Sequence, residues 1–347
     1  MSNAYKIALF FGVLHGINDF IAGYLLSAHT SIASSMSMNS FVFLLYGMLA
    51  FGLQPLAGIL VDKQKNNKYF TYVSILFLVL AILFWNKSIL IAIICSGIAS
   101  AFIHVCGGAA TFSADKNNTS IAGLFTAPGV LGLISGGILG TFPSVWFYIL
   151  IIPLLLLFVV IFQIKLPYLQ SNQRKKYNID FDTHDFLMIL LLLSIAMRSL
   201  LWNIFNLYTE NQQIWLLGIA IAAFVGKLIG GVICDKYNWK YWIYLSSIVA
   251  VLCLQFGKNN LLILCIGVSC LQSTVPITLV LMQHFLSKMP ATASGLALGM
   301  AIMLAGFPMF LNIFIANYTS SILMLIIVSV FFYSQYKSIS TISENKE

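Results

Sequence analysis

The chain has 347 residues, 60% of them hydrophobic and only 8% charged, with a mean hydropathy of +0.95. Soluble domains carry about 25% charged residues, so this composition excludes a soluble enzyme and puts the chain in a lipid bilayer. The formal net charge of +8 sits mostly in loops and at span ends, which fits topology and anionic lipid headgroups; nucleic acid is not an expected partner.

A span needs about 20 apolar residues, and the sequence predicts twelve of them. The first six run over roughly 4–28, 39–61, 68–86, 88–112, 119–141 and 144–166. The first contains His15 and Asp19 and is longer than the apolar core of a signal peptide, so it is read as a mature helix. The second ends in Gly58-Ile59-Leu60-Val61-Asp62-Lys63, followed by Lys68 and Tyr69. The fourth contains His104. In the fifth, Gly129, Gly132, Gly136 and Gly140 share one face, where a neighbouring helix can approach closely.

Residues 167–183 form the one long polar stretch, with Arg174-Lys175-Lys176 in it, and read as a linker between two halves. Asp182-Thr183-His184-Asp185 has metal-ligand residue types, but Asp182 or Thr183 also suits a helix N-cap with Asp185 in the first turn, which is the expectation here. The second six spans run over roughly 184–208, 213–235, 239–256, 259–284, 291–314 and 316–336, and 337–347 is a polar tail. Span seven carries Arg198, Asn203 and Asn206, and span ten Gln272 and Gln283. Lys227 in span eight is expected to snorkel toward the nearer membrane face. All six cysteines lie in or beside apolar segments without a Cys-x-x-Cys pair and read as small buried hydrophobes.

Span eight ends in Gly231-Val232-Ile233-Cys234-Asp235-Lys236, which repeats the Gly58 to Lys63 segment at an offset of 173. Ala122-Gly123-Leu124 and Ser294-Gly295-Leu296 form a second echo at an offset of 172. Two echoes at nearly one offset predict a duplication. The fold expected is an all-α membrane protein with twelve transmembrane helices in two pseudo-symmetric six-helix bundles, residues 1–166 and 184–336. Sorting of lysine and arginine puts both termini in the cytoplasm, with only Lys87 and Lys258 outside. A multi-pass protein of the cell membrane, the bacterial inner membrane in particular, is expected, acting as a monomer.

The paired loops resemble the signature loop of the major facilitator superfamily, with Lys63 where that family has arginine and Asn66, Asn67 and Lys68 in place of its further glycine and arginines. A narrower resemblance, to the fosmidomycin resistance group of efflux carriers, rests on His15-Gly16-Ile17-Asn18-Asp19, Phe102-Ile103-His104, Arg198-Ser199, and Gln283 with Pro290 and Ala293-Ser294-Gly295-Leu296. Val105 replaces a proline of that group, and Phe205-Asn206-Leu207 its Phe-Leu-Pro. The resemblance implies a central cavity between spans one, four, seven and ten. It also implies a gating role for Gly58, Asp62, Lys63, Gly231, Asp235 and Lys236, each aspartate held near the end of a neighbouring helix in one facing state.

Ionisable groups inside a span cost about 2.5–3.5 kcal/mol each on insertion scales, so each asks for a reason. His15 and Asp19 are four apart on one helical face. Asp19 is expected to take up and release protons, with His15 or His104 sharing the load, while Arg198 either pairs with Asp19 or binds an anionic substrate group. Asn203, Gln272 and Gln283 are candidates for neutral hydrogen bonds to substrate. The partners expected are a small-molecule substrate, protons and the bilayer, with no cofactor and no metal. The chain has no His-Glu-x-x-His and no aspartate pair placed in two spans, so an enzyme is not expected. The function these readings favour is proton-coupled efflux of a small organic molecule by alternating access, with proton-coupled uptake as the alternative. Pro128-Gly129 reverses the Gly-Pro order of the superfamily's antiporter motif, so direction stays open.

Overall fold

A computed structural model describes residues 2–32, 36–167, 169, 183–207, 212–257 and 259–304. Nine helical spans among them are long and apolar enough to cross a membrane, and two more are apolar but shorter. In chain order we label them α1 (Asn3–Ile32), α2 (Met38–Gln64), α3 (Asn67–Phe84), α4 (Ile89–Ala114), α5 (Thr119–Gly140), α6 (Val145–Gln163), α7 (Thr183–Leu207), α8 (Gln213–Lys236), α9 (Trp239–Phe256), α10 (Leu261–Phe285) and α11 (Pro290–Leu304). They coincide with the first eleven expected spans. The twelfth span, the tail and most of the linker, with Asp182, lie outside the described residues.

Short polar residues start these helices. Asn66, Ser88, Asn118 and Asn260 each accept a hydrogen bond from a backbone N–H in the first turn of α3, α4, α5 and α10, satisfying donors that have no partner inside the helix. Between α2 and α3 the chain turns within two residues because Lys65 takes the left-handed conformation, φ 56°. Several spans depart from the continuous α-helices expected, among them α6, whose first residues Val145–Leu150 are 3-10 helical, and α11, with a π-helical stretch over Leu296–Met300. In α2 a π-helical stretch covers Met48–Gly52 just before Pro55, and α10 is interrupted by a turn at Ser273 and Thr274 before Pro276. The Ser273 and Thr274 hydroxyls donate back to the Cys270 and Leu271 carbonyls at 2.6 and 2.9 Å, supplying partners for backbone that water cannot reach in a bilayer.

Burial separates central from peripheral helices. The apolar windows of α1, α4 and α10 are 67%, 67% and 72% buried, while that of α6 is only 17% buried. Leu155, Leu156, Val159 and Phe162 of α6 are exposed and suit contact with lipid tails. In the first half α1 packs on α4 and most closely on α5; in the second, α8 packs on α10. The halves meet through α2 with α11 and α5 with α8. The two pairs are equivalent under the duplication, since α8 repeats α2 and α11 repeats α5.

The α1–α5 seam shows why α5 is rich in glycine. A Cβ on Gly132 or Gly136 would overlap the backbone carbonyl of Gly16 or Phe20. The backbones touch, and only a residue without a side chain allows that.

Candidate functional site

The repeated aspartates each reach across to the other half. Asp62, only 2% exposed, accepts from the Ala291 and Thr292 backbone N–H groups at 3.1 and 2.8 Å and from the Thr292 hydroxyl at 2.7 Å. Asp235 accepts from the Thr119 and Ser120 N–H groups at 2.7 and 2.8 Å and from both hydroxyls, that of Thr119 at 2.5 Å. Each carboxylate thus sits at the N-terminus of a helix, where unsatisfied N–H groups and the helix dipole favour a negative charge. The first clamps α2 to α11, the second α8 to α5.

The glycines of the echoes make those contacts possible. A Cβ on Gly58 would lie 2.6 Å from the Ala291 carbonyl oxygen, and one on Gly231 2.8 Å from that of Thr119. Gly123 and Gly295 meet the Lys227 and Gln54 carbonyls in the same reciprocal way, at 2.8 and 2.5 Å. Gln283 also bridges the halves here, donating to the Gly108 carbonyl at 2.9 Å and to Ser294 at 2.7 Å. The structure therefore groups it with the clamps rather than with a cavity. Lys63 and Lys236 are exposed.

Deeper in the first half, His15, Asp19 and His104 come together. His15 Nδ1 lies 3.0 Å from the Phe125 carbonyl oxygen, and its Nε2 lies 3.1 Å from Asp19 Oδ2. A carbonyl only accepts, so Nδ1 carries hydrogen. Nε2 and an ionised carboxylate cannot bond unless a proton lies between them. With a proton between them the pair would be net neutral, as imidazolium and carboxylate or as imidazole and carboxylic acid. His104 Nδ1 donates to the Ser100 carbonyl at 2.7 Å, and its ring meets the His15 ring edge-on with centroids 4.5 Å apart. Asn18, fully buried, donates to Asp19 Oδ1 at 2.7 Å and to the Ser100 hydroxyl at 3.2 Å.

The three residues offer ligand atoms all within 4.8 Å of one another, two imidazoles and a carboxylate, a donor set that transition metals accept. The neighbouring charge opposes a dication. Lys227 does not snorkel as expected: its Nζ turns inward to the Thr126 carbonyl at 3.1 Å, one residue along α5 from the carbonyl that holds His15.

Arg198 does not pair with Asp19 in this structure. Its Nη1 donates to the Thr278 hydroxyl at 2.6 Å, with Thr274 at 3.5 Å. Gln272 is buried on α10 and Asn203 partly buried on α7; the side chain of Asn206 lies outside the described residues. His184 donates through Nε2 to the Phe285 carbonyl at 3.1 Å and has Asp185 at 3.7 Å. Sequence reasoning gave no role to Asn18, Ser100, Thr119, Ser120, Thr274, Thr278 or Thr292. The legible signals were the place of Asn18 in the His15 to Asp19 motif and the i, i+4 spacing of Thr274 and Thr278 on span ten.

Two interlocked helical bundles, with ionisable groups between their central helices and reciprocal clamps at one end, define a secondary transporter of the two-bundle class. The chain belongs to the Major Facilitator Superfamily, whose family profile matches residues 8–311. No curated protein sequence matches it. Among solved structures it is similar to the Escherichia coli fucose:proton symporter FucP in its outward conformation, with a TM-score of 0.72, 14% identity, and coverage of 97% of this chain and 98% of that one. It is also similar to a bacterial homologue of the iron transporter ferroportin in an outward-facing state, at TM-score 0.66 and 12% identity over 98% and 99% of the two chains. The human organic anion transporter MFSD10 aligns at TM-score 0.65 and 13% identity over 97% and 99%. At these identities the likeness lies in the fold alone.

Proposed function

We propose that the protein is a proton-coupled carrier that moves a small organic molecule across the cell membrane by alternating access, as a monomer with both termini in the cytoplasm. One observation carries the reading: His15 Nε2 lies 3.1 Å from Asp19 Oδ2 within the membrane-spanning region, beside His104, on central helices, a contact that a shared proton would close. A group that binds one proton where water is scarce is what coupling to a proton gradient needs. With the termini inside, the Asp62 and Asp235 clamps lie at the cytoplasmic end. Their engagement then corresponds to a form closed to the cytoplasm, which agrees with the outward states of two structural neighbours.

The resemblance of span one, span four and the span ten to eleven segment to the fosmidomycin resistance group supports efflux of a drug or metabolite. Uptake is the second reading, because the same fold serves a fucose:proton symporter and fold does not set direction. The neighbours' cargoes, a sugar, iron and organic anions, differ too much to name this one. The test is transport and counterflow in proteoliposomes under an imposed pH gradient, screened over candidate compounds. Asp19→Asn is expected to abolish gradient-driven accumulation while leaving gradient-free counterflow; full proton-driven transport by this variant overturns the coupling role.

A further inference from the structure

Two cations of the second half, Arg198 and Lys227, are used neither by the clamps nor by the proton pair. Arg198 is only 5% exposed, and its hydrogen bonds go to two threonines. Those hydroxyls give their own protons to backbone carbonyls of α10, so they offer the guanidinium lone pairs and no charge. Among the described residues neither Arg198 nor Lys227 has a carboxylate at ion-pair distance. A buried charge without a counter-ion is costly and is kept where something supplies the opposite charge.

The first half lies within electrostatic reach. Coulomb interaction links Lys227 to Asp19 and to Arg198, and α5 explains the first of these. Its consecutive carbonyls at Phe125 and Thr126 hold His15 and Lys227, and Gly129 lets His15 and Asp19 lie against its backbone. Asp19 is faced by His15 on its own helix, His104 from α4, Tyr46 from α2 and Lys227 from α8. While the His15–Asp19 pair holds its proton it is net neutral, and both cations stay unbalanced. Loss of that proton leaves a net negative pair beside Lys227.

We propose that Arg198 and Lys227 form a seat for an oxyanion group of the cargo, and that a proton at the His15–Asp19 pair strengthens the seat by removing a competing negative charge. Guanidinium and ammonium groups bind carboxylates and related oxyanions through charge-assisted hydrogen bonds. The second clause rests on the proton-coupled reading above. Its sign selects the second reading above, uptake, over efflux: proton and anion that favour each other's binding travel together, and an inward proton gradient then drives uptake of the anion. Efflux against protons needs the opposite sign, in which the two compete.

The test uses the full-length protein in lipid nanodiscs, titrated with benzoate, benzenesulfonate and neutral benzyl alcohol at about pH 5.5 and about pH 8. Both anions keep one negative charge at either pH, so any pH effect belongs to the protein, and the pair separates carboxylate from sulfonate preference. At least one anion is expected to bind and raise the unfolding temperature, more tightly at the lower pH, while the alcohol does neither. Arg198→Gln and Lys227→Met should each weaken binding about 10- to 100-fold, with Arg198→Lys, which keeps the charge, losing less. Asp19→Asn should bind at both pH values as the wild type does at the lower one. No anion binding, equal binding of the alcohol, or unchanged binding in both Arg198→Gln and Lys227→Met overturns the seat. Binding that is lost in those variants but does not vary with pH keeps the seat and overturns its link to the proton, while the proteoliposome assay judges proton coupling separately.

Discussion

Asp62 and Asp235 occupy equivalent positions in the two halves, yet their settings differ. Asp62 is buried and accepts three hydrogen bonds, whereas Asp235 is exposed and accepts four. Replacing a capping group commonly costs about 0.5–2 kcal/mol, and a buried donor left without its acceptor sits at the upper end. Asp62→Asn is therefore expected to release its clamp more than Asp235→Asn does. Spin labels on Gln64→Cys and Lys288→Cys, one on each half at this end, should report a longer distance with a population raised about 2- to 30-fold by Asp62→Asn. Equal distance distributions in wild type and variant would remove the gating role. Lys227 shows why single side chains resist sequence reading. A lysine inside a span can turn either way, and the choice of the Thr126 carbonyl depends on a helix from the other half.

At the scale of elements, the close approach of α1 and α5 was legible, because glycines four or so apart in an apolar helix mark one smooth face. What they touch was not. Gly136 meets the Phe20 carbonyl, while Gly137, one position on, has nothing within 4 Å of where its Cβ would lie. Gly136→Val should force the seam apart and cost about 1–3 kcal/mol or more, seen as a lower unfolding temperature and less folded protein in detergent. Gly137→Ala should be neutral or stabilise by up to about 1 kcal/mol, since alanine is the better helix former. Similar losses in both variants would show that the seam is not packed as described. The π-helical stretch of α2 and the turn within α10 were missed because apolar periodicity is blind to one inserted residue. Both precede a proline, which was the available hint.

At the scale of the molecule, the two clamps close the same end through symmetric helix pairs, α2 with α11 and α5 with α8. If both belong to one transition, their energies add: Asp62→Asn combined with Asp235→Asn should multiply the population shifts of the single variants. The same spin-label distances check this. A third, intermediate distance in the double variant would mean that the two sides open independently. The combination of reciprocal clamps with the His15–Asp19 pair on central helices gives the proposed alternating access its physical content, because a charge change at the pair and the loss of two helix caps can bias one equilibrium.

The sequence by itself determined the membrane setting, eleven of the helical spans now described, the duplication and the candidate ionisable groups. Each of these rests on local composition or on a repeat at fixed offset, and such signals survive in a linear chain. It also brought His15 to Asp19, because i, i+4 neighbours share a helix face whatever the fold. Only the tertiary structure decided that the Phe125 carbonyl takes up His15 Nδ1 and leaves Nε2 to face Asp19, that Arg198 turns to threonines rather than to Asp19, and that Gln283 bridges the halves beside the clamps. Those outcomes depend on contacts between helices distant in sequence. There a shift of one carbonyl along α5 separates the partner of His15 from the partner of Lys227.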